Sequence, residues 1–273
     1  MKVFCILGDE RSFRAKSPAM FSAILKRVGI KGVYVPFNVD PEKLGQAVQS
    51  LRVLNIAGAN VTVPYKEVVM PHLDVLSEGA TIIGAVNTIV RSGDTLKGYN
   101  TNAIGFMDAL ENAGFDAAGK RALVFGSGGA AKSVVFILNW LRSESILIAG
   151  RNPERSRHIV DRIGGEAMPL GSLPSDPITV DIIVNATTAS RRDDAPNLAA
   201  LLDGLDIDGC RLVLDLNYGY HPNMWQIFAE SRQIPFTDGL TTLAYQAKRT
   251  FALWTGLQVD SQEFLKVLNE TEA

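Results

Sequence analysis

Short apolar runs rich in β-branched residues recur along this chain, and segments of helical periodicity separate them. The runs fall at residues 3–7, 33–37, 56–63, 122–125, 146–149, 182–185 and 212–216. Each is too short to be an independent helix and too continuously apolar to face water on one side. Such runs suit strands buried on both faces of a parallel sheet. Their alternation with helices specifies an α/β protein.

The helical segments carry their own punctuation. Ser17-Pro18 opens one, with Ser17 as N-cap, Pro18 in the first turn and Gly29 past the end. Asp40-Pro41, Asn152-Pro153 and His221-Pro222 read as further starts. Periodicity predicts helices over 101–113, 132–141, 240–253 and 261–268, and the polar stretch 190–197 reads as an exposed loop. At roughly 100–200 residues per domain, 273 residues allow one large domain or two modest ones. The turn-rich stretch 114–120, followed by a second nucleating strand, favours two. The expected division is 1–101, completed by 240–273, and 102–239.

Composition excludes several function classes. A net charge of −2 gives no electrostatic footprint for nucleic acid. Cys5 and Cys210 are too few for a disulfide framework and read as buried free thiols. His72, His158 and His221 show no metal-ligand spacing, so no metal site is expected. No run approaches the ~18 apolar residues of a membrane span, and the first residues do not read as a signal peptide. A cytoplasmic protein without membrane or nucleic-acid partners is expected, as a monomer or homodimer.

A glycine-rich motif follows the run 122–125. The run leads into Gly126-Ser127-Gly128-Gly129-Ala130-Ala131 and then a helix, a G-x-G-x-x-A pattern in strand–turn–helix context. The first glycine permits a tight turn. The second lets the backbone approach a pyrophosphate, and the small third position lets helix pack on strand. The helix N-terminus then offers N–H donors to phosphate. An NAD-binding unit usually places an acidic residue at the end of the next strand. Here Gly150 stands there, followed by Arg151, Asn152 and, one turn on, Arg155. Guanidinium groups suit a 2′-phosphate. NADP is the expected cofactor, with NAD the other nicotinamide cofactor such a loop accepts.

Further motifs are Asn60-Val-Thr62-Val-Pro64-Tyr-Lys66, Ala85-Val-Asn87-Thr88 and Gly98-Tyr-Asn100-Thr101-Asn102. With Asn185-Ala-Thr187, Asp215 with Tyr218, and Asp238-Gly239-Leu240 followed by Gln246, they fall in this order along the whole chain. In this set the chain resembles the shikimate/quinate dehydrogenase family. The resemblance implies a substrate-binding α/β domain, a Rossmann-type NADP-binding domain, and an active site in the cleft between them. It implies reversible hydride transfer at a hydroxyl of a cyclic polyhydroxy carboxylate, a small ring acid. By the same resemblance Lys66 and residue 102 are catalytic, and Ser17, Thr62, Asn87, Tyr218 and Gln246 face the substrate. Gly126, Ser127, Gly128, Gly129, Ala130, Arg151, Asn152, Arg155, Leu216 and Gly239 face the cofactor.

The residue types agree with that chemistry. A lysine whose pKa is lowered by desolvation can exchange the hydroxyl proton. Side-chain amides both donate and accept, which suits a polyol.

Two positions depart from the family. Residue 102 is Asn, where the family has Asp. Lys66 thereby loses an anion that favours its ammonium form, and a charge-assisted bond becomes a weaker neutral one. Slow turnover is expected. The second departure is Ala15, where the family carries a serine that, with Ser17, holds the substrate carboxylate. Losing a donor there redirects specificity, so weak activity on shikimate, or preference for quinate or a related acid, is expected. The competing readings are a catalytically silent NADP- and ligand-binding sensor, and a different NADP-linked dehydrogenase on the same plan.

Overall fold

The computed structural model describes residues 1–172 and 177–270. Two compact units emerge, Met1–Gly105 with Ala244–Ala273, and Phe106–Leu243. The division falls inside the helix Thr101–Asn112, so Asn102 groups with the first unit rather than opening the second. Asn100 caps that helix, its Oδ1 accepting from the Ala103 N–H at 3.1 Å. Residues 271–273 of the expected stretch 240–273 lie outside the described residues.

The first unit is built on a six-stranded sheet. Its strands are β1 (Lys2–Gly8), β2 (Gly32–Asn38), β3 (Gly58–Val61), β4 (Val75–Leu76), β5 (Thr88–Ser92) and β6 (Thr95–Tyr99), in the order β2-β1-β3-β5-β6-β4. β1 pairs in parallel with β2 and β3, as the apolar runs predict. The other half is mixed, because β5 and β6 form an antiparallel hairpin that the sequence reading missed. Their polar edge positions and the Gly93 turn interrupt any apolar run. The core joins Cys5 and Leu7 to Val48, Leu51, Tyr65 and Ile89. On the other side, Phe4 stacks on Trp254 of the helix Gly239–Thr255 at 4.8 Å between ring centroids. Gly58 makes that possible, since a Cβ there would collide with the Trp254 indole.

The second unit is a parallel six-stranded sheet. It uses β7 (Arg121–Phe125), β8 (Ser145–Gly150), β9 (Glu166–Pro169), β11 (Ile182–Asn185), β13 (Leu212–Asp215) and β14 (Phe236–Thr237), in the order β14-β13-β11-β7-β8-β9. A separate pair joins β10 (Ile178–Thr179) to β12 (Ile207–Asp208). The central strands β7, β11 and β13 are buried nearly throughout, which is why they stand out as apolar runs. The edge strands β9 and β14 are partly exposed or short, and left no such signal.

Several helix starts differ from the sequence reading. The helix Ser17–Arg27 begins one residue after Lys16, and no side chain caps it, so Ser17 is inside the helix rather than its cap. Asp40-Pro41 opens a 3-10 turn, Pro41–Lys43, that precedes the α-helix Leu44–Val53. Beyond His221-Pro222, the helix Met224–Glu230 is capped by Asn223, whose side chain accepts from the Trp225 and Gln226 N–H groups. The stretch 190–197 is not all loop: Ser190 is buried, and the helix Pro196–Gly204 has already begun. Asn152 caps Pro153–Ile163 as expected, accepting from the Arg155 N–H at 3.1 Å.

Candidate active site

In the first unit, the segment after β3 is pinned from both sides. The Thr62 N–H donates to Leu7 O at 3.0 Å and the Tyr65 N–H to Thr62 O at 2.9 Å. Tyr65 is buried and its hydroxyl donates to Val39 O. The Lys66 carbonyl accepts from the Val86 N–H at 2.7 Å, which places the Lys66 backbone beside the residue preceding Asn87. Lys66 is half-buried. Burial lowers its pKa to about 8, because the neutral amine tolerates desolvation better than the ammonium.

Asn87 is the centre of a polar cluster. The Thr101 backbone N–H donates to Asn87 Oδ1 at 2.7 Å. That contact fixes the amide, because a backbone N–H can only donate. Asn87 Nδ2 therefore points the other way, toward Asn102 Oδ1 at 2.7 Å, Gln246 Oε1 at 2.9 Å and Thr101 Oγ1 at 2.9 Å. Beneath lie hydroxyls that sequence reasoning missed as a group. Thr88, Thr101 and Thr250 approach one another at 2.9–3.1 Å. Gln246 and Thr250 are four residues apart on the helix Gly239–Thr255, so they share a face. That spacing was the available signal. Asn60 has its amide committed to Tyr34, Asn87 O and Thr88, which gives it a structural part.

The structure thus brings Asn87, Asn102 and Gln246 together, and ties the Lys66 backbone to Val86, the residue before Asn87. Thr62 is half-buried, with its methyl close to the open side of Gly8. Ser17 is buried, and its hydroxyl has no protein partner among the described residues. Ala15, as read from sequence, offers no hydroxyl.

In the second unit, β7 runs into the glycine loop. Gly126 has φ +119°, and a Cβ there would lie 2.8 Å from Ala186 O. Only glycine meets both demands. Gly128 precedes the helix Gly129–Trp140, with no side-chain cap and open space where a Cβ would stand. Ser127, Gly129 and Ala130 complete the half-buried loop. The first N–H groups of a helix have no intrahelical partner, so this end presents an uncapped donor cradle that fits a pyrophosphate.

At the end of β8, Gly150 has a local reason. A Cβ would collide with Ser156 Oγ of the following helix. An acidic side chain there would need the Ser156 hydroxyl to turn away, and Arg151 and Arg155 are the exposed groups that follow. Arg151 has no ion pair among the described residues.

Asp215, at the end of β13, is a buried hub. Its carboxylate accepts from Asn185 Nδ2 at 2.7 Å, Ser190 Oγ at 2.6 Å, Asn223 Nδ2 at 2.8 Å and both the main chain and amide of Asn217 at 3.0 Å. Burial raises its pKa against these bonds, which lower it. The hub anchors the turn that carries Leu216 and Tyr218, both half-buried. The Gly239 N–H closes this turn on Asn217 O at 2.9 Å, and a Cβ on Gly239 would collide with Leu216 O. Among the described residues no cluster of His, Cys, Asp or Glu could hold a metal ion, and no helix is long and apolar enough to cross a membrane.

A parallel sheet with a glycine loop leading from a central strand into a helix defines a Rossmann-type dinucleotide-binding unit. Comparison with known proteins makes the class specific. Residues 11–89 match the shikimate dehydrogenase substrate binding domain, and residues 109–192 match shikimate/quinate 5-dehydrogenase. A shikimate dehydrogenase (NADP(+)) from Moorella thermoacetica is 37% identical over 268 residues, 93% of this chain and 88% of that protein. The structure of shikimate 5-dehydrogenase from Thermus thermophilus, in complex with NADP(H) and shikimate, superposes with TM-score 0.85. It is 31% identical, and the match covers 99% of each chain. A 5-ketofructose reductase from a Gluconobacter strain has TM-score 0.82 at 26% identity, over 99% of each chain. The chain belongs to the shikimate dehydrogenase family, and with it to the NADP-dependent oxidoreductases.

Proposed function

We propose that this chain interconverts the hydroxyl and ketone of a cyclic polyhydroxy carboxylate of the shikimate/3-dehydroshikimate type. NADP bound at the glycine loop supplies or accepts the hydride. The observation that carries the reading is the Asn87 amide, which binds Asn102 and Gln246 and follows directly on Val86, whose N–H donates to the Lys66 carbonyl.

Lys66 exchanges the hydroxyl proton, and its lowered pKa keeps a usable fraction of free amine near neutral pH. Thr62, Asn102, Gln246 and Tyr218 orient the ring hydroxyls, and Asn87 positions the amides. Ser17 binds the carboxylate, without the help that a serine at position 15 would give. Preference for quinate or a related acid over shikimate follows from that loss. Gly126 to Ala130 hold the pyrophosphate. Arg151, Asn152 and Arg155 bind the 2′-phosphate end, and Leu216 and Gly239 line the nicotinamide side.

The test is reduced-nicotinamide absorbance with shikimate and quinate, each against NADP and NAD. NADP-linked turnover of a ring acid supports the reading. Asn102 favours one other reading, a sensor that binds NADP and a ring acid without converting them. Binding of both with no turnover, even in Asn102→Asp, would select it.

A further inference from the structure

Asn102 differs from the family's aspartate in more than charge, because its orientation is fixed. The Thr101 N–H commits Asn87 Oδ1 as an acceptor at 2.7 Å, and Asn87 Nδ2 then needs acceptors. It finds Asn102 Oδ1 at 2.7 Å and Gln246 Oε1 at 2.9 Å. Turning either amide over would set NH₂ against NH₂. The acceptor ends of Asn102 and Gln246 are thereby used inward.

Their donor ends are left. Neither Asn102 Nδ2 nor Gln246 Nε2 has a protein partner among the described residues. Gln246 is only 7% exposed, yet its Nε2 is not among the sealed, unsatisfied atoms. A buried side chain with an unpaired but reachable N–H is held ready for an acceptor, since leaving it unmade is costly. An aspartate at 102 behaves oppositely: one oxygen takes the Asn87 bond, and the other stays outward as an acceptor.

We propose that Asn102 makes this site selective for the keto form of its substrate, with Asn102 Nδ2 and Gln246 Nε2 donating to substrate oxygens. The inference rests on the reading that residue 102 meets the reacting oxygen. A ketone oxygen has lone pairs and no proton, so N–H donors satisfy it. A hydroxyl at the same place has a proton that needs an acceptor; the carboxylate that would take it is absent, and Lys66 offers a lone pair only in its free-amine form. In the favoured direction the carbonyl carbon accepts a hydride from the reduced nicotinamide. The C=O π pair moves to oxygen, which takes a proton from the Lys66 ammonium. The products are the alcohol, the oxidised nicotinamide and the neutral amine.

The experiment is calorimetric titration of the cofactor-free protein with shikimate and with 3-dehydroshikimate, for the wild type and Asn102→Asp. Asp is isosteric and still accepts from Asn87, so the fold is retained. A carboxylate at 102 repels the ring carboxylate of both ligands alike, so the ratio of the two Kd values isolates the effect. We expect the wild type to bind the keto acid at least tenfold tighter than the hydroxy acid, and Asn102→Asp to lower that ratio at least tenfold. Gln246→Glu should move it the same way. Equal affinity of the wild type for both ligands, or a ratio unchanged by Asn102→Asp, would overturn the inference. No binding of either ligand to either protein overturns it together with the substrate reading. A ratio that shifts as expected in a protein with no nicotinamide-linked turnover upholds it and overturns only the proposed reaction.

Discussion

Asn87 Nδ2 lies 2.7 Å from Asn102 Oδ1, and the Thr101 backbone N–H dictates the direction of that bond. One main-chain donor thus sets the orientation of a buried amide, and through it the amides at 102 and 246. Replacing Asn87 by Leu strands the Thr101 N–H and the inward oxygen of Asn102, while Gln246 Oε1 keeps the Thr101 hydroxyl at 3.3 Å. Each unsatisfied buried group costs about 1–3 kcal/mol. With two such groups and about 2–4 °C per kcal/mol, thermal melting should show Tm falling by roughly 4–24 °C. A Tm unchanged in Asn87→Leu would mean that the network contributes nothing to the fold.

The lowered pKa of Lys66 gives a pH signature. Oxidation of the alcohol needs the free amine, and reduction of the ketone needs the ammonium. With the Lys66 pKa at about 8, kcat/KM for oxidation should rise with pH through that value and level off above it. For reduction it should fall across the same range. Asn102→Asp adds an anion that favours the ammonium, so the inflection should move upward. A pH–rate profile for both directions reads this. Profiles that stay flat from roughly pH 7 to about pH 9 would remove Lys66 as the acid/base.

Lys66→Met separates chemistry from binding. Removing a positioned acid/base should lower kcat by about 10²–10⁴-fold. Cofactor affinity should be unchanged, and Tm should not fall, since the change removes a charge that burial disfavours. Titration with NADP and a melting curve accompany the kinetics. A variant that keeps turnover would move the catalytic burden elsewhere.

The glycine loop permits a paired experiment. Gly126 has φ +119° and backbone beside its missing Cβ, so Gly126→Ala should destabilise the protein by about 1–3 kcal/mol. Gly128 has φ −95° and open space at its Cβ position, so Gly128→Ala should change Tm little. Its methyl instead enters the cradle, and Kd for NADP should rise about tenfold or more, in line with the close backbone approach the second glycine provides. Equal effects on Tm would contradict this division of roles.

Arg151 is exposed, and Gly150 before it carries no acidic side chain. Arg151→Ala should raise KM for NADP by about tenfold, the scale of one charge-assisted hydrogen bond. KM for NAD, which lacks the 2′-phosphate, should stay the same. Parallel losses with both cofactors would place Arg151 away from the phosphate.

The legible parts of this molecule share a physical cause. β1, β7, β11 and β13 are central strands buried on both faces, and only continuous apolar residues survive there. The helix Pro153–Ile163 announced itself through Asn152, a cap that works within a few residues of its own backbone. The hairpin β5–β6 did not, because half its positions face outward and its pattern is set by pairing with β3. The start at Ser17 failed because a Ser-Pro pair does not say which residue is the last outside the helix.

The sequence alone determined the α/β class, the glycine loop, and the residue types at 66, 87, 102 and 246, since each follows from local chemistry along the chain. Tertiary structure decided what those residues present. The absence of a charge at 102 can be read from one letter. That Asn102 turns its oxygen inward and its N–H₂ outward depends on Thr101, Asn87 and Gln246, which long-range folding brings within hydrogen-bond reach. Hydrogen-bond direction is a property of that assembled network, and no single segment of the chain contains it.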